Sequence, residues 1–74
     1  MRNERVERTM KLTVAGLGYV GMANAVLFAQ HHDVTAYDIA ADRVRRVNQG
    51  LSPISDSDIE ARMATGRLRL SATT

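Results

Sequence analysis

Gly16, Gly18 and Gly21 stand in the spacing G-x-G-x-x-G within Val14-Ala15-Gly16-Leu17-Gly18-Tyr19-Val20-Gly21, and an acid, Asp38, closes the next apolar run. Glycines so placed suit one task, which is to bring backbone N–H groups against a diphosphate. Gly16 permits a sharp turn out of a strand. Gly18, with no side chain, lets a pyrophosphate approach the backbone, and Gly21 lets a helix lie close on a sheet. The N-terminus of that helix offers unpaired N–H groups and a partial positive charge to the phosphates. Asp38 can accept hydrogen bonds from the hydroxyls of an adenosine ribose. Its charge repels a 2′-phosphate, so the expected ligand is NAD rather than NADP. A glycine-rich turn with no ligand is the competing reading, and only the flanking elements can decide between them.

Those elements have the required order. Lys11-Leu12-Thr13-Val14-Ala15 reads as a strand, uncharged after Lys11, as befits a strand buried on both faces at the centre of a parallel sheet. A helix is predicted from about Tyr19 to His31, apolar nearly all round and so expecting cover on every side. Asp33 to Asp38 reads as the second strand. A second helix, about Ala40 to Gln49, has an apolar stripe at Ala40, Val44 and Val47, an expected Asp42–Arg46 pair, and a stop at Gly50. Ser52-Pro53-Ile54 reads as an extended segment. A third helix is predicted to open at Ser55 as N-cap, with Asp58 returning the capping bond and Ile54 stapled to Ile59. Arg67 to Ala72 alternates polar and apolar, as an edge strand does.

The resulting fold class is α/β: the N-terminal half of a Rossmann fold, with β-α-β-α-α-β connectivity and a parallel sheet in the order 3-2-1. Residues 1–9 are expected to be a disordered extension, and residues 10–74 a partial dinucleotide-binding domain. The free edge of the first strand, beside an over-apolar helix, predicts a chain prone to associate.

Composition narrows the alternatives. With 74 residues, this is at most one small domain. There is no cysteine, which excludes disulfides and thiolate chemistry within the chain. A net charge of +2, without aromatics between the arginines, does not describe a nucleic-acid surface. No stretch is long and apolar enough for a bilayer, so a cytoplasmic protein without a membrane partner is expected. His31-His32 and the Ser55-Asp56-Ser57-Asp58 cluster lack further ligands at metal-site spacing. Favourable charge at helix ends accounts for both, and no metal is expected.

Beyond the glycines, Val47-Asn48-Gln49-Gly50-Leu51-Ser52-Pro53-Ile54, Asp58-Ile59-Glu60 and Leu68-Arg69-Leu70-Ser71-Ala72-Thr73 add a second layer of pattern. Together with Lys11 to Met22, Ala29-Gln30-His31 and Val34 to Ile39, they make the chain from about Met10 to Thr74 resemble the UDP-glucose/GDP-mannose dehydrogenase family. The resemblance implies oxidation of the 6-hydroxymethyl of a nucleotide sugar, UDP-glucose foremost, to a carboxylate through a cysteine thioester, with two NAD reduced. It implies cofactor contacts from Gly16, Gly18, Tyr19, Val20, Gly21, Asp38 and Arg43. Val20 and Tyr19 would act through the backbone, and Arg43 falls where the family commonly carries lysine beside the ribose. The family's catalytic cysteine, lysine, aspartate and asparagine, its sugar-nucleotide domain and its dimer-forming central helix would lie beyond Thr74. No catalytic residue is therefore assigned here, UDP-glucose would bind only through downstream regions, the full-length protein is expected to form a homo-oligomer, and the chain alone is expected to be a truncated, inactive piece. The alternatives are the cofactor segment of a sister enzyme acting on GDP-mannose or a UDP-aminosugar, and a non-catalytic nucleotide-binding fragment.

Overall fold

A computed structural model describes residues 9–74; of the expected extension over 1–9, all but Thr9 lies outside the described residues. The elements run β1 (Lys11–Ala15), α1 (Tyr19–Ala29), β2 (Asp33–Tyr37), α2 (Ala41–Asn48), α3 (Ser57–Ala64) and β3 (Leu70–Thr73). The three strands form one parallel sheet in the order β1-β2-β3, with Val14 opposite Ala36 and Ala36 opposite Ala72. This is the expected α/β topology. The sheet's β2 lies between the other two because each crossover steps the same way.

The core explains the placement of the helices. Leu17, Met22, Val26, Ala36, Val47, Ile59, Met63 and Ala72 form one buried cluster, drawn from all three helices and the strands. Ala25, Ala29 and Val34 form a second, against the base of α1. Leu12, Val14, Val34, Ala36, Leu70 and Ala72 therefore face the helices, and the alternate residues face away. The expectation that β1 is buried on both faces is not met: its residues alternate between exposed and half-buried. All three helices lie on one side of the sheet, since two right-handed crossovers in the same direction put both connections there. The all-round apolar character of α1 is likewise only half used. Met22, Ala25, Val26 and Ala29 are buried, while Val20 and Leu27 are 72 % and 58 % exposed.

Several boundaries shift for local reasons. Helix α1 ends at Ala29 rather than His31, because the N–H groups of His31 and His32 both turn back to the Phe28 carbonyl. The α2 stop at Gly50 is as expected: Gly50 N–H donates to Val47 and Leu51 N–H to Arg46, the paired bonds of a Schellman turn. Asp42 pairs with Arg45, one residue nearer than the expected Arg46. Ser52-Pro53-Ile54 is bent rather than extended, since the Ser52 hydroxyl donates to the Ile54 carbonyl at 2.6 Å and accepts its N–H at 3.2 Å. The N-cap of α3 is Asp56, not Ser55: its carboxylate accepts the Ile59 N–H at 3.0 Å, and Asp58 makes no return bond. Strand β3 starts at Leu70 rather than Arg67, because the Arg69 N–H is drawn to the Ala29 carbonyl at the end of α1.

One side chain does the work of a strand. Asn48, the last residue of α2, donates from its amide to the Ala72 carbonyl and accepts the Ala72 N–H, both at 2.8 Å. That pair satisfies the outer edge of β3 where the ladder has no further partner.

Two tests follow from this packing. A Cβ on Gly21 would stand 1.8 Å from the Gly16 carbonyl oxygen, which is backbone on both sides of the contact and cannot turn aside. Gly21→Ala is therefore expected to cost about 3 kcal/mol or more, enough to unfold a chain of this size in mild denaturant. Asn48→Ala leaves two backbone groups of a nearly buried residue without partners. It should lower stability by about 1–3 kcal/mol in a urea titration followed by circular dichroism.

Candidate functional site

The glycine loop joins β1 to α1 at the carboxyl end of the sheet, where open α/β sheets bind their ligands. Gly16 has φ +93°, a conformation open to glycine and strained for other residues. Its N–H donates to the Tyr37 carbonyl at 2.7 Å, and the next N–H, from Leu17, donates to Asp38 Oδ2 at 2.7 Å. Two consecutive amides thus fasten the loop to the end of β2. Leu17 itself is fully buried and anchors the loop from below.

Asp38 does more than the sequence suggested. Its Oδ1 accepts the Ala40 N–H at 2.7 Å, tying β2 to the start of α2, and its Oδ2 also faces Arg43 Nη1 at 3.4 Å. The backbone bond from Ala40, then that from Leu17, holds its carboxyl below the ordinary carboxylate range. Partial burial pushes the other way, and the bond and charge of Arg43 add to the lowering. A carboxylate has about four lone-pair positions. Three donors occupy part of that capacity, and Oδ1, bonded only to the Ala40 N–H, keeps a second lone pair unused.

The three glycines separate by cause. Gly16 is required by its backbone angle and Gly21 by its close approach to Gly16. Gly18 is required by neither: it has φ −75°, and a Cβ there would meet nothing within 4 Å. It opens α1 as N-cap without any side-chain hydrogen bond, and the first turn of that helix holds no acid. The other two helices differ, with Asp42 in the first turn of α2 and Asp56, Asp58 and Glu60 at α3. The N–H groups at the mouth of α1 are thus left without an internal anion, as a phosphate site needs.

Two open clefts meet over Ala15 and Gly16. One, of about 540 Å³, is lined by Tyr37, Asp38, Ile39, Arg43 and Thr74; Ile39 is fully exposed there. The other, of about 490 Å³, runs past Gly18, Val20, Gly21 and Phe28. Gly16, Gly18, Val20, Gly21, Asp38 and Arg43 are thus brought together. Tyr19 is divided: its backbone begins α1, but its side chain lines a separate hollow of about 270 Å³ between α1 and α3. That hollow is lined at the α3 end by Asp56 and Asp58, carboxylates at the mouth of a helix that caps itself with Asp56. Sequence reading missed the clamp on Leu17 and Ala40 and the exposed Ile39. The Asp-x-Ala spacing at Asp38–Ala40 was the available sign of a local carboxylate-to-backbone turn.

Among the described residues, no three His, Cys, Asp or Glu side chains gather as a metal site, and no helix is long and apolar enough to cross a membrane. His32 is used locally, its Nδ1 accepting the Met10 N–H at 3.0 Å.

Known proteins resemble this chain in sequence and fold. The chain is 46 % identical to a UDP-glucose 6-dehydrogenase of Streptococcus pneumoniae over 63 residues, which is 85 % of this chain and 16 % of that protein. It is 41 % identical to a GDP-mannose 6-dehydrogenase of Pseudomonas aeruginosa over 68 residues, 88 % of this chain and 16 % of the other. A UDP-N-acetyl-D-mannosamine dehydrogenase of Pyrococcus horikoshii is 36 % identical over 55 residues, 73 % of this chain and 13 % of its own. The solved structure of a UDP-glucose dehydrogenase from Pyrobaculum islandicum superimposes with a TM-score of 0.78 at 33 % identity, over 99 % of this chain and 18 % of that one. The chain thus spans about a sixth of the length of the curated relatives it matches. Residues 10–74 match the model of the NAD-binding domain of the UDP-glucose/GDP-mannose dehydrogenases, and the chain belongs to that family.

Proposed function

We propose that this chain is the N-terminal NAD-binding segment of a UDP-glucose 6-dehydrogenase, a cytoplasmic, homo-oligomeric enzyme that converts UDP-glucose to UDP-glucuronate. The observation that carries the cofactor site is Gly18: a glycine that neither backbone torsion nor clearance demands, at the mouth of a helix with no side-chain cap, beside a clamped acid. NAD would supply the hydride acceptor for the two oxidations. The chain's own residues bind and orient it. The first-turn amides of α1, Tyr19 and Val20 among them, would face the pyrophosphate. Asp38 Oδ1 would accept a ribose hydroxyl, with Arg43 alongside. The backbone bonds from Leu17 and Ala40 hold that carboxylate ionised and in place, so little ordering is left to occur on binding. No cysteine is present among the 74 residues, so the family's thioester step would belong to other parts of the protein.

A sister enzyme acting on GDP-mannose is the second reading, favoured by the 41 % identity over a longer stretch to a protein of that name. The cofactor site is common to both, so it discriminates poorly between them. The higher identity to a UDP-glucose 6-dehydrogenase supports the first.

Calorimetric titration of the 74-residue chain with ADP-ribose tests the site. Gly18→Ala should fold, at a cost of about 1 kcal/mol or less for the poorer N-cap, yet weaken binding by about tenfold or more. Asp38→Ala should weaken it as well. Unchanged affinity in both variants would remove the proposed site. A second measurement concerns pH. Because folding lowers the Asp38 pKa, its contribution to stability is complete above the ordinary carboxylate value and is lost as pH falls through the folded one. Thermal melts should therefore drop as pH falls below about 4, and less so in Asp38→Asn. An identical pH profile for that variant would show that other groups dominate acid unfolding.

A further inference from the structure

The hollow of about 270 Å³ between α1 and α3 does not end at α3. A second, of about 250 Å³, continues it towards the α3–β3 loop, and Gln30 and Arg62 line both. Together they form one groove along the outer side of the two helices. Its middle is apolar. Ala23 stands on α1 between Tyr19 and Leu27, which are 65 % and 58 % exposed, and the buried Ile59 forms part of the floor. Its ends carry opposite charge: Asp58 lies in the first turn of α3, Arg62 in the last turn, and Arg67 just beyond. Asp58 and Arg62 stand one helical turn apart, a spacing that permits a pair within the chain. Yet among the described residues no ion pair joins Asp58, Arg62 or Arg67 to another side chain. The helix dipole accounts for an acid at one end of α3 and a base at the other. It does not account for Tyr19 and Leu27 exposed beside them.

A strip that runs acid, apolar, base is its own complement. Turned by half a revolution about its middle, it sets base against acid and apolar against apolar, as a two-fold contact requires. We propose that this groove is a self-association surface, on which a second copy of the chain docks through its own α1 and α3. With the two-fold axis at Ala23, Tyr19 lies against the partner's Leu27, and Asp58 faces the partner's Arg62 and Arg67. Ala23 is the small residue that lets the two α1 helices approach. This surface is separate from the cofactor clefts, which Gly16, Gly18 and Asp38 line. It is also separate from the open edge of β1, where association would use backbone groups and no charge of α3.

Sedimentation equilibrium of the 74-residue chain tests this, with circular dichroism to confirm that each variant is folded. The parent should self-associate in roughly the micromolar range, and more weakly in about 0.5 M salt. Asp58→Arg should weaken association by about tenfold or more, and so should the double variant Arg62→Asp, Arg67→Asp, because each sets like charges together at both contacts. Mixed in equal amounts, the two reversed chains should recover a dimer, since every repelling contact in the mixture becomes an attracting one. Leu27→Asp changes an exposed side chain that the fold does not bury, so it should fold and still lose association by about tenfold or more. A parent that stays monomeric at about 100 µM would overturn the proposal. Association of the reversed chains or of Leu27→Asp at the parent's strength would also overturn it, and is the result expected of pairing through β1. So would folded reversed chains whose mixture remains monomeric.

Discussion

The hydrogen bonds converging on Asp38 hold this structure's functional end together. One carboxylate takes the Leu17 N–H from the glycine loop and the Ala40 N–H from the approach to α2. The glycine loop, distant in sequence, and the adjacent approach to α2 meet on the two oxygens of one side chain. A neutral side chain could satisfy one of those amides, but not both with the same geometry. The ionised form therefore stabilises this corner of the fold before any ligand is considered, and a ligand reaching the cleft would meet a group already ionised and held in place. Pre-organisation of this kind removes ordering from the cost of binding.

Much of this was legible in the residues. Glycine spacing, the strands on either side and Asp38 located the loop and the direction of the sheet, because those features are local and each glycine answers a steric demand. The apolar stripe of α2 and its stop at Gly50 were equally plain. What escaped were long-range competitions for backbone groups. The start of β3 is set by the Ala29 carbonyl taking the Arg69 N–H, and no periodicity reports that. The choice of Asp56 over Ser55 as cap is a contest between adjacent residues with similar chemistry. Asn48 looked like a polar residue at a helix end, and its bidentate grip on Ala72 could not be read without knowing that β3 lies beside it.

The site was legible as a set but not as a division of labour. Gly16, Gly18 and Gly21 look alike in sequence. In three dimensions the first is a matter of torsion and the third of clearance, while the second, the N-cap of α1, answers to neither. Val20, expected to act through its backbone, also keeps its side chain exposed on the surface of α1 that neither α3 nor the sheet covers. The same turn of helix thus carries both the unpaired amides and part of the uncovered apolar surface.

Asn48 gives the sheet a direction of growth. With the outer side of β3 stopped by an amide that imitates a neighbouring strand, addition there would first have to evict it. The outer side of β1 carries no such stop among the described residues. Lateral extension is therefore biased to one flank, and that flank runs up to the Gly16 turn. A strand added on that flank would lie beside the Gly16 turn, so whatever pairs with β1 also borders the cleft.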